Sequence, residues 1–145
     1  MGTFETLAKT GANKAPIIES YSINKSFACD TVVAEGAIVK LKSDGAVTPV
    51  TAEADYPLGL VVVGNKVVNG KVTVQTNFSA IVLGKANATT VIGDELAAKS
   101  YDGTAKLTVY DVAVATDHIS GTALSAGAAA ATIVVGLRRV PTLKA

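Results

Sequence analysis

The chain has 145 residues, of which 49% are hydrophobic and 17% are charged, and its formal net charge is +1. This length allows one domain, or two small fused lobes, with a substantial buried core. A net charge so close to zero excludes a broad electrostatic surface for nucleic acid or an anionic membrane and leaves only a local patch open. We therefore expect neither nucleic acid nor a membrane as a partner.

The composition also limits the chemistry and the compartment. Aromatic residues make up 5% of the chain and Trp is absent, so Ala and Val dominate the apolar fraction, which favours compact strands over large ligand cavities. Cys29 is the only cysteine, which excludes an intramolecular disulfide and a cysteine-cluster metal site; we expect a buried apolar residue rather than a reactive thiol. The N-terminal residues lack the apolar core of a signal peptide, and no apolar run approaches the ~20 residues of a membrane span. We expect synthesis and folding in a cytoplasm.

The first part of the chain is interpreted as an N-terminal arm, residues 1–30. Its first 14 residues are polar apart from Phe4 and Leu7, whose spacing suits either the start of a short helix or docking on a neighbour. Residues 17–23 show mixed alternation, which is compatible with pairing to the sheet edge of a partner.

The stretch from Gly36 to Gly64 carries the clearest strand signals. Asp44-Gly45 separates two short apolar runs, which predicts a hairpin whose two central residues both have positive φ. A polar loop follows, and Gly59 then opens a second apolar run. No residue in this stretch is suited to catalysis.

The same order of features occurs a second time. Each copy has a glycine turn, a short apolar strand, an Asp-Gly turn and a second glycine that opens a strand, with a few residues inserted in the later copy. The two sets are Gly36, Asp44-Gly45 and Gly59, and Gly93, Asp102-Gly103 and Gly121. We predict a duplicated β-module, with pseudo-repeats at about residues 31–87 and 88–140 inside a domain of residues 31–145.

Further strand and turn signals fill the rest of the chain. A strand is predicted in residues 77–84, and Asn69-Gly70 marks another hairpin turn. The Ala-rich residues 125–131 are interpreted as a loop with one helical turn, because Gly127 interrupts a short run. About ten to twelve short strands with frequent turns predict an all-β fold, a small β-barrel or β-sandwich with an extended N-terminal arm.

No pattern in the chain is typical of an enzyme. His118 is the only histidine and follows Asp117, but no serine lies in a G-x-S-x-G motif, so a loop histidine is expected. Asp94 and Glu95 are paired carboxylates by sequence only, and Asp94, which follows Gly93, is interpreted as an ordinary turn acid. No phosphate-binding loop is present. We predict no catalytic residue, no cofactor-binding residue and no metal ligand, and therefore no enzyme.

Both arginines of the chain lie near its end, at Arg138 and Arg139, and Lys144 follows them. They form either a solvated end of the last strand or an ion-pair contact with an acidic partner, since arginine suits bidentate binding of carboxylates.

The order of these motifs resembles a known family. The relevant stretches are Gly36–Leu41, Asp44–Thr51, Ala54–Val61, Gly70–Val74, Gly93–Ala98 and Gly121–Leu124. In this order they are similar to the small capsid-decorating, or head cement, proteins of tailed bacteriophages, over about Val33 to Val140. The chain departs from the family at Ala130-Ala131, where the family has a Gly-Asp turn, and in the segment before Val33.

The resemblance implies a compact β-barrel-like protein, often trimeric, that binds the outer surface of an assembled capsid, strengthens the shell and catalyses nothing. The expected partners are the major capsid protein and the chain itself, as a homotrimer. The expected location is the capsid exterior of a virion that is assembled in the host cytoplasm. From the arm and the basic end, the candidate capsid-binding residues are Phe4, Leu7, Lys9, Lys14, Ile17, Ile18, Tyr21, Arg138 and Arg139.

Three other functions stay open at this point. One is the base of a head fibre, or another minor structural subunit of the virion. The second is a biotinyl- or lipoyl-type carrier domain, which needs a modified lysine at a hairpin tip, whereas the two Asp-Gly turns contain none. The third is a hydrolase, which the single histidine and the missing nucleophile motif disfavour.

Overall fold

The computed structural model describes residues 23–76 and 79–145, with only the backbone of Ile23, Arg139 and Val140. These residues form ten strands and no helix, so none of them belongs to a helix able to cross a membrane. The strands are β1 (Ile23–Ala28), β2 (Ile38–Leu41), β3 (Val47–Pro49), β4 (Gly59–Val63), β5 (Lys71–Thr76), β6 (Ile81–Ala86), β7 (Glu95–Asp102), β8 (Leu107–Val112), β9 (His118–Ala123) and β10 (Thr132–Leu143). The predicted all-β class is confirmed.

The ten strands form two five-stranded units with the same strand order. The first is a sheet of order β1-β5-β4-β2-β3, and the second is a closed barrel of order β10-β6-β8-β7-β9. Because the barrel is closed, its order can also be written β6-β10-β9-β7-β8, which is the first order with each strand number raised by five. Each strand of the first unit has a counterpart five strands later, because β2 pairs with β3 and β4 just as β7 pairs with β8 and β9. The predicted duplication is therefore visible in the pairing. The boundaries predicted for the arm and the repeats stay predictions; the strands themselves group as residues 23–76 and 81–143.

The two units close to different extents. In the barrel, β6 pairs in parallel with β8 through Lys85↔Val109 and Ala86↔Tyr110. In the first unit the corresponding contact between β1 and β3 is a single parallel bridge, Cys29↔Val47. The first unit is thus a nearly closed version of the second.

The glycine turns of the two copies have matching geometry. Gly36 and Gly93 both have φ of +95°, a conformation that glycine adopts without strain. The Gly36 amide donates to the Val61 carbonyl at 2.8 Å, and the Gly93 amide donates to the Ala123 carbonyl at 2.9 Å. Both turns therefore fix the start of a central strand against its neighbour.

The Asp-Gly hairpins exist, but the predicted two-residue turn with two positive φ values is wrong. In the first hairpin only Gly45 is left-handed, with φ of +84°, and its amide donates to the Lys42 carbonyl at 3.1 Å. In the second, the left-handed residue is Lys106 rather than Gly103. Both loops are longer than two residues, so the left-handed residue lies at or near the end of the loop.

The Ala-rich loop contains no helical turn, contrary to the prediction. Thr90 and Gly127 form an isolated antiparallel bridge, and the Ala131 amide donates to the Ala128 carbonyl at 3.0 Å. Ala130 has a φ of +68° at this turn. Tertiary pairing with residue 90 outweighs the modest helix preference of a short alanine run.

Two hydrophobic clusters make up most of the core. One lies within the first unit: Cys29, Val33, Ala37, Val39, Val47, Val61, Val72 and Val74. The other joins Ile38, Val50 and Leu60 of the first unit to the barrel residues Ala86, Leu96, Ala98, Tyr110, Ala123, Ile133, Val135 and Leu137. Neighbouring residues of β2 and β4 therefore enter different clusters, as alternation along a strand requires.

Candidate binding surfaces

The predicted binding residues of the arm lie outside the described residues. These are Phe4, Leu7, Lys9, Lys14, Ile17, Ile18 and Tyr21. Their assignment to capsid binding stays a prediction.

Arg138 makes an internal ion pair. Its Nη2 lies 2.7 Å from Glu95 Oε2, and its Nη1 donates to Thr142 Oγ1 at 2.7 Å. Lys144 Nζ contacts the other oxygen of the same carboxylate, and the bonds from Lys144 and Arg138 lower the pKa of Glu95. The cluster joins the start of β7 to β10. This pairing could not be predicted from the sequence, because Glu95 lies more than 40 positions before Arg138 and Lys144.

This arrangement bears on the role predicted for the basic end of the chain. The Arg138 guanidinium is partly exposed, and a carboxylate of a partner would share it with Glu95. A contact between Arg138 and an acidic partner therefore stays a prediction. The side chain of Arg139 is not among those described.

The side chains of His118 and Asp117 contact different partners. The Asp117 Oδ2 accepts the Val114 amide at 2.8 Å within its own turn. The His118 ring packs edge-on against Tyr56 at 5.2 Å between centroids, and its Nδ1 lies 2.8 Å from the Ala54 carbonyl. Histidine and carboxylate thus have separate structural roles. Among residues 23–76 and 79–145, no three His, Cys, Asp or Glu side chains are placed to hold a metal.

Polar contacts also join the two units. The His118 amide donates to the Glu53 carbonyl at 2.9 Å. Lys99 Nζ lies 3.0 Å from Glu53 Oε1 and 3.2 Å from Asp111 Oδ2. In the buried part of the contact, the Ile38 amide donates to Thr108 Oγ1 at 3.0 Å. The loop after β3 is therefore held against the barrel.

Cys29 is fully buried, as predicted, and burial raises the pKa of its thiol. This environment disfavours the thiolate and hence nucleophilic reactivity.

The hairpin loops are the place where a carrier domain would hold its modified lysine. The two Asp-Gly hairpin loops are longer than the dipeptides and contain Lys42 and Lys106. Lys42 Nζ forms ion pairs with Asp30 at 3.1 Å and Asp44 at 3.5 Å. Each hairpin loop therefore contains one lysine outside its Asp-Gly dipeptide.

An apolar patch on the outside of the barrel was not predicted. Ile81 and Leu83 on β6 are 72% and 56% exposed, and their cross-strand partners on β10 are Gly136 and Val134. Leu124 is 46% exposed and lies over Gly136. We name this surface, made by Ile81, Leu83, Leu124 and Val134, the β6 face. Contiguous exposed apolar side chains of this kind are typical of a protein contact.

Comparison with known proteins finds similarity among solved structures. No family model and no curated protein matches the chain. Among solved structures, the crystal structure of the N base of the head fiber protein gp8.5 from bacteriophage phi29 is similar, with a TM-score of 0.52 and 13% identity. The match covers 85% of this chain and 99% of that one. At this identity the likeness shows a shared fold.

Proposed function

We propose that the chain is a structural protein of a tailed-phage virion, which binds the outer surface of the capsid and stabilises the shell without catalysing a reaction. The observation that carries this proposal is the fold likeness to the head fiber base of phage phi29, which extends over nearly the whole of that base. The motif order similar to capsid-decorating proteins supports the same class of function independently.

A second candidate is favoured by the same observation. The similar solved structure is the base of a head fiber, which supports a fiber base or another minor virion subunit as the alternative to a decoration subunit. Cryo-electron microscopy of the assembled particle separates the two. A decoration subunit gives compact density at regular lattice positions, whereas a fiber base carries a stalk.

The β6 face supports self-association, and we propose a homotrimer. Repetition of subunits over a shell raises the effective affinity of each weak contact. Leu83→Glu places a charge in the middle of this face, and the expected result is a monomer in light scattering coupled to size exclusion. Val63→Glu is the matched control, because Val63 is 59% exposed but lies on the other unit. An unchanged mass for Leu83→Glu contradicts the proposed use of this face.

Binding to intact shells tests the main proposal. Purified chain mixed with expanded shells of the phage that encodes it should co-sediment to a fixed stoichiometry. Removal of residues 1–14 should abolish binding if the arm carries the predicted contacts. Failure of the complete chain to co-sediment overturns the proposed function. A covalently attached cofactor in the intact mass would instead favour the carrier domain.

A further inference from the structure

Within residues 23–76 and 79–145, the outer edge of β1 has unpaired backbone groups. β1 pairs with β5 in antiparallel register, and the Cys29 amide donates to the Gly70 carbonyl at 3.1 Å. Hydrogen-bonded pairs alternate along such a ladder, so the amides and carbonyls of Asn24 and Ser26 point away from β5. Among the residues that the structure describes, none pairs with β1 along this edge before Cys29.

The two units differ in the length of the hairpin that follows β1 in one and β6 in the other. In the barrel, β7 and β8 have eight and six residues, and β8 pairs with β6. In the first unit, β2 and β3 have only four and three residues, and β3 begins at Val47, which bridges to Cys29. In the first unit, β3 therefore meets the chain only at Cys29 and does not extend along the outer edge of β1.

A groove lies at this edge. Its volume is about 570 Å³, and it is lined by residues 25–28 of β1, by the hairpin loop at residues 44–46, and by Asn69 and Lys71. Within the described ranges neither Lys25 nor Lys71 has a carboxylate partner, while Asp44 already faces Lys42. The free charge of the groove is therefore positive.

The two lysines lie on opposite faces of the sheet formed by β1 and β5. Lys25 shares a face with Phe27, and its Nζ lies 5.7 Å from the centre of that ring. Lys71 is in register with Ala28 and so shares the other face. Side chains of an added strand alternate between the same two faces. Carboxylates on either face of that strand would therefore meet an ammonium group.

We propose that the outer edge of β1 receives an extended acidic segment of the shell protein, which adds to the first unit as a further strand. This inference rests on the proposed function and specifies the contact. Main-chain hydrogen bonds at Asn24 and Ser26 supply affinity, and Lys25 and Lys71 select for acidic side chains. The competing explanation is that the lysines only protect an exposed edge from aggregation.

Two substitutions at one position test the main-chain contact in the co-sedimentation assay. Ser26→Pro removes the outward amide without removing a bond to β5, and proline is tolerated at edge strands. Ser26→Val keeps the amide and is the matched control. We expect Ser26→Pro to weaken shell binding by about tenfold, and Ser26→Val to bind like the parent chain.

Charge reversal tests the contribution of Lys25 and Lys71 to binding. This test does not depend on whether Ser26→Pro folds. Lys25→Glu with Lys71→Glu should also weaken binding by about tenfold, whereas Lys66→Glu with Lys106→Glu, away from the groove, should not. In hydrogen exchange, the Ser26 amide of the parent chain should become protected on the shell.

The outcomes separate the two levels of the proposal. If the parent chain does not bind, the proposed function fails and the edge contact fails with it. If the parent binds but Ser26→Pro and the Lys25/Lys71 variant bind equally well, only the edge contact is overturned. Loss of self-association in Ser26→Pro, with unchanged shell binding, would assign the edge to a second copy and likewise overturn this inference.

Discussion

The Tyr110 hydroxyl is a buried polar group without a hydrogen-bond partner in the part of the chain that the structure describes. The ring packs in the core cluster that both units share, and burial raises the pKa of the hydroxyl. An unpaired buried hydroxyl costs about 1–3 kcal/mol. Tyr110→Phe removes it and keeps the ring, so we expect the free energy of unfolding to rise by about 1 kcal/mol.

Tyr101→Phe is the matched control for this measurement by denaturant titration. The Tyr101 hydroxyl accepts the Ala34 amide at 3.0 Å, so its removal should lower the free energy of unfolding by about 1 kcal/mol. Opposite signs for the two variants are expected. A loss of stability in Tyr110→Phe similar to that in Tyr101→Phe would show that the Tyr110 hydroxyl has a partner.

Asp102 should determine part of the acid sensitivity of the fold. Lys85 Nζ lies 2.6 Å from its Oδ2, and the bond from Lys85, with those from the Ala105 and Thr104 amides, lowers its pKa from an ordinary 3.8 to about 2. A carboxylate whose pKa is depressed in the folded state stabilises the fold above its unfolded pKa, and this contribution is lost as the pH falls through the folded pKa. The melting temperature should therefore fall between pH of about 4 and about 2.

Asp102→Asn keeps an oxygen acceptor for the turn but removes the charge. Its melting temperature should consequently fall less than that of the parent over the same pH range, as measured by circular dichroism. Asp44→Asn, in the equivalent turn with a longer 3.5 Å ion pair, should show a smaller difference. Parallel curves for the parent and Asp102→Asn would contradict the assigned role.

At the level of strands, one glycine in each copy allows two backbones to approach closely. A Cβ on Gly59 would lie 2.4 Å from the Gln75 carbonyl oxygen, and a Cβ on Gly121 would lie 2.6 Å from the Gly136 carbonyl oxygen. Neither strand can move away without breaking the hydrogen bonds that pair it with its neighbour. Gly59→Ala and Gly121→Ala should each lower the free energy of unfolding by about 1–3 kcal/mol.

Gly103→Ala is the control for this pair in denaturant titrations. A Cβ at Gly103 meets nothing within 4 Å, and its φ is not in the left-handed region. We expect a change within about 0.5 kcal/mol. If Gly59→Ala were as mild as Gly103→Ala, the close strand approach inferred for both copies would be wrong.

For the whole molecule, the shared core predicts one cooperative unfolding transition. Ile38, from the first unit, is fully buried in the cluster formed largely by the barrel, while Val39 is fully buried in the cluster of its own unit. Ile38→Ala should destabilise by about 2–5 kcal/mol, and Val39→Ala should also lower the same single transition. Differential scanning calorimetry checks this directly. A split into two transitions in Val39→Ala would show that the units unfold independently.

Much of the fold could be predicted from local patterns. Val-rich alternating runs and Asp-Gly and Asn-Gly turns indicate short strands and hairpins through steric preferences that act within a few residues. The duplication was visible because Gly36 and Gly93, and Gly59 and Gly121, meet the same backbone requirements in each copy. Even so, the turn type was wrong, because loop length rather than the dipeptide decides which residue is left-handed.

The sequence alone therefore determined the all-β class, the repeated order of turns and the buried character of Cys29. Only the tertiary structure decided that Glu95 binds Arg138, that Ile38 enters the core of the barrel and that the outer edge of β1 has no strand partner among the described residues. These features depend on residues far apart in sequence, and their energies arise only when the strands are brought together. The hairpin within Gly36 to Gly64 can be predicted from that stretch alone, but its contact with the second unit exists only in the folded chain.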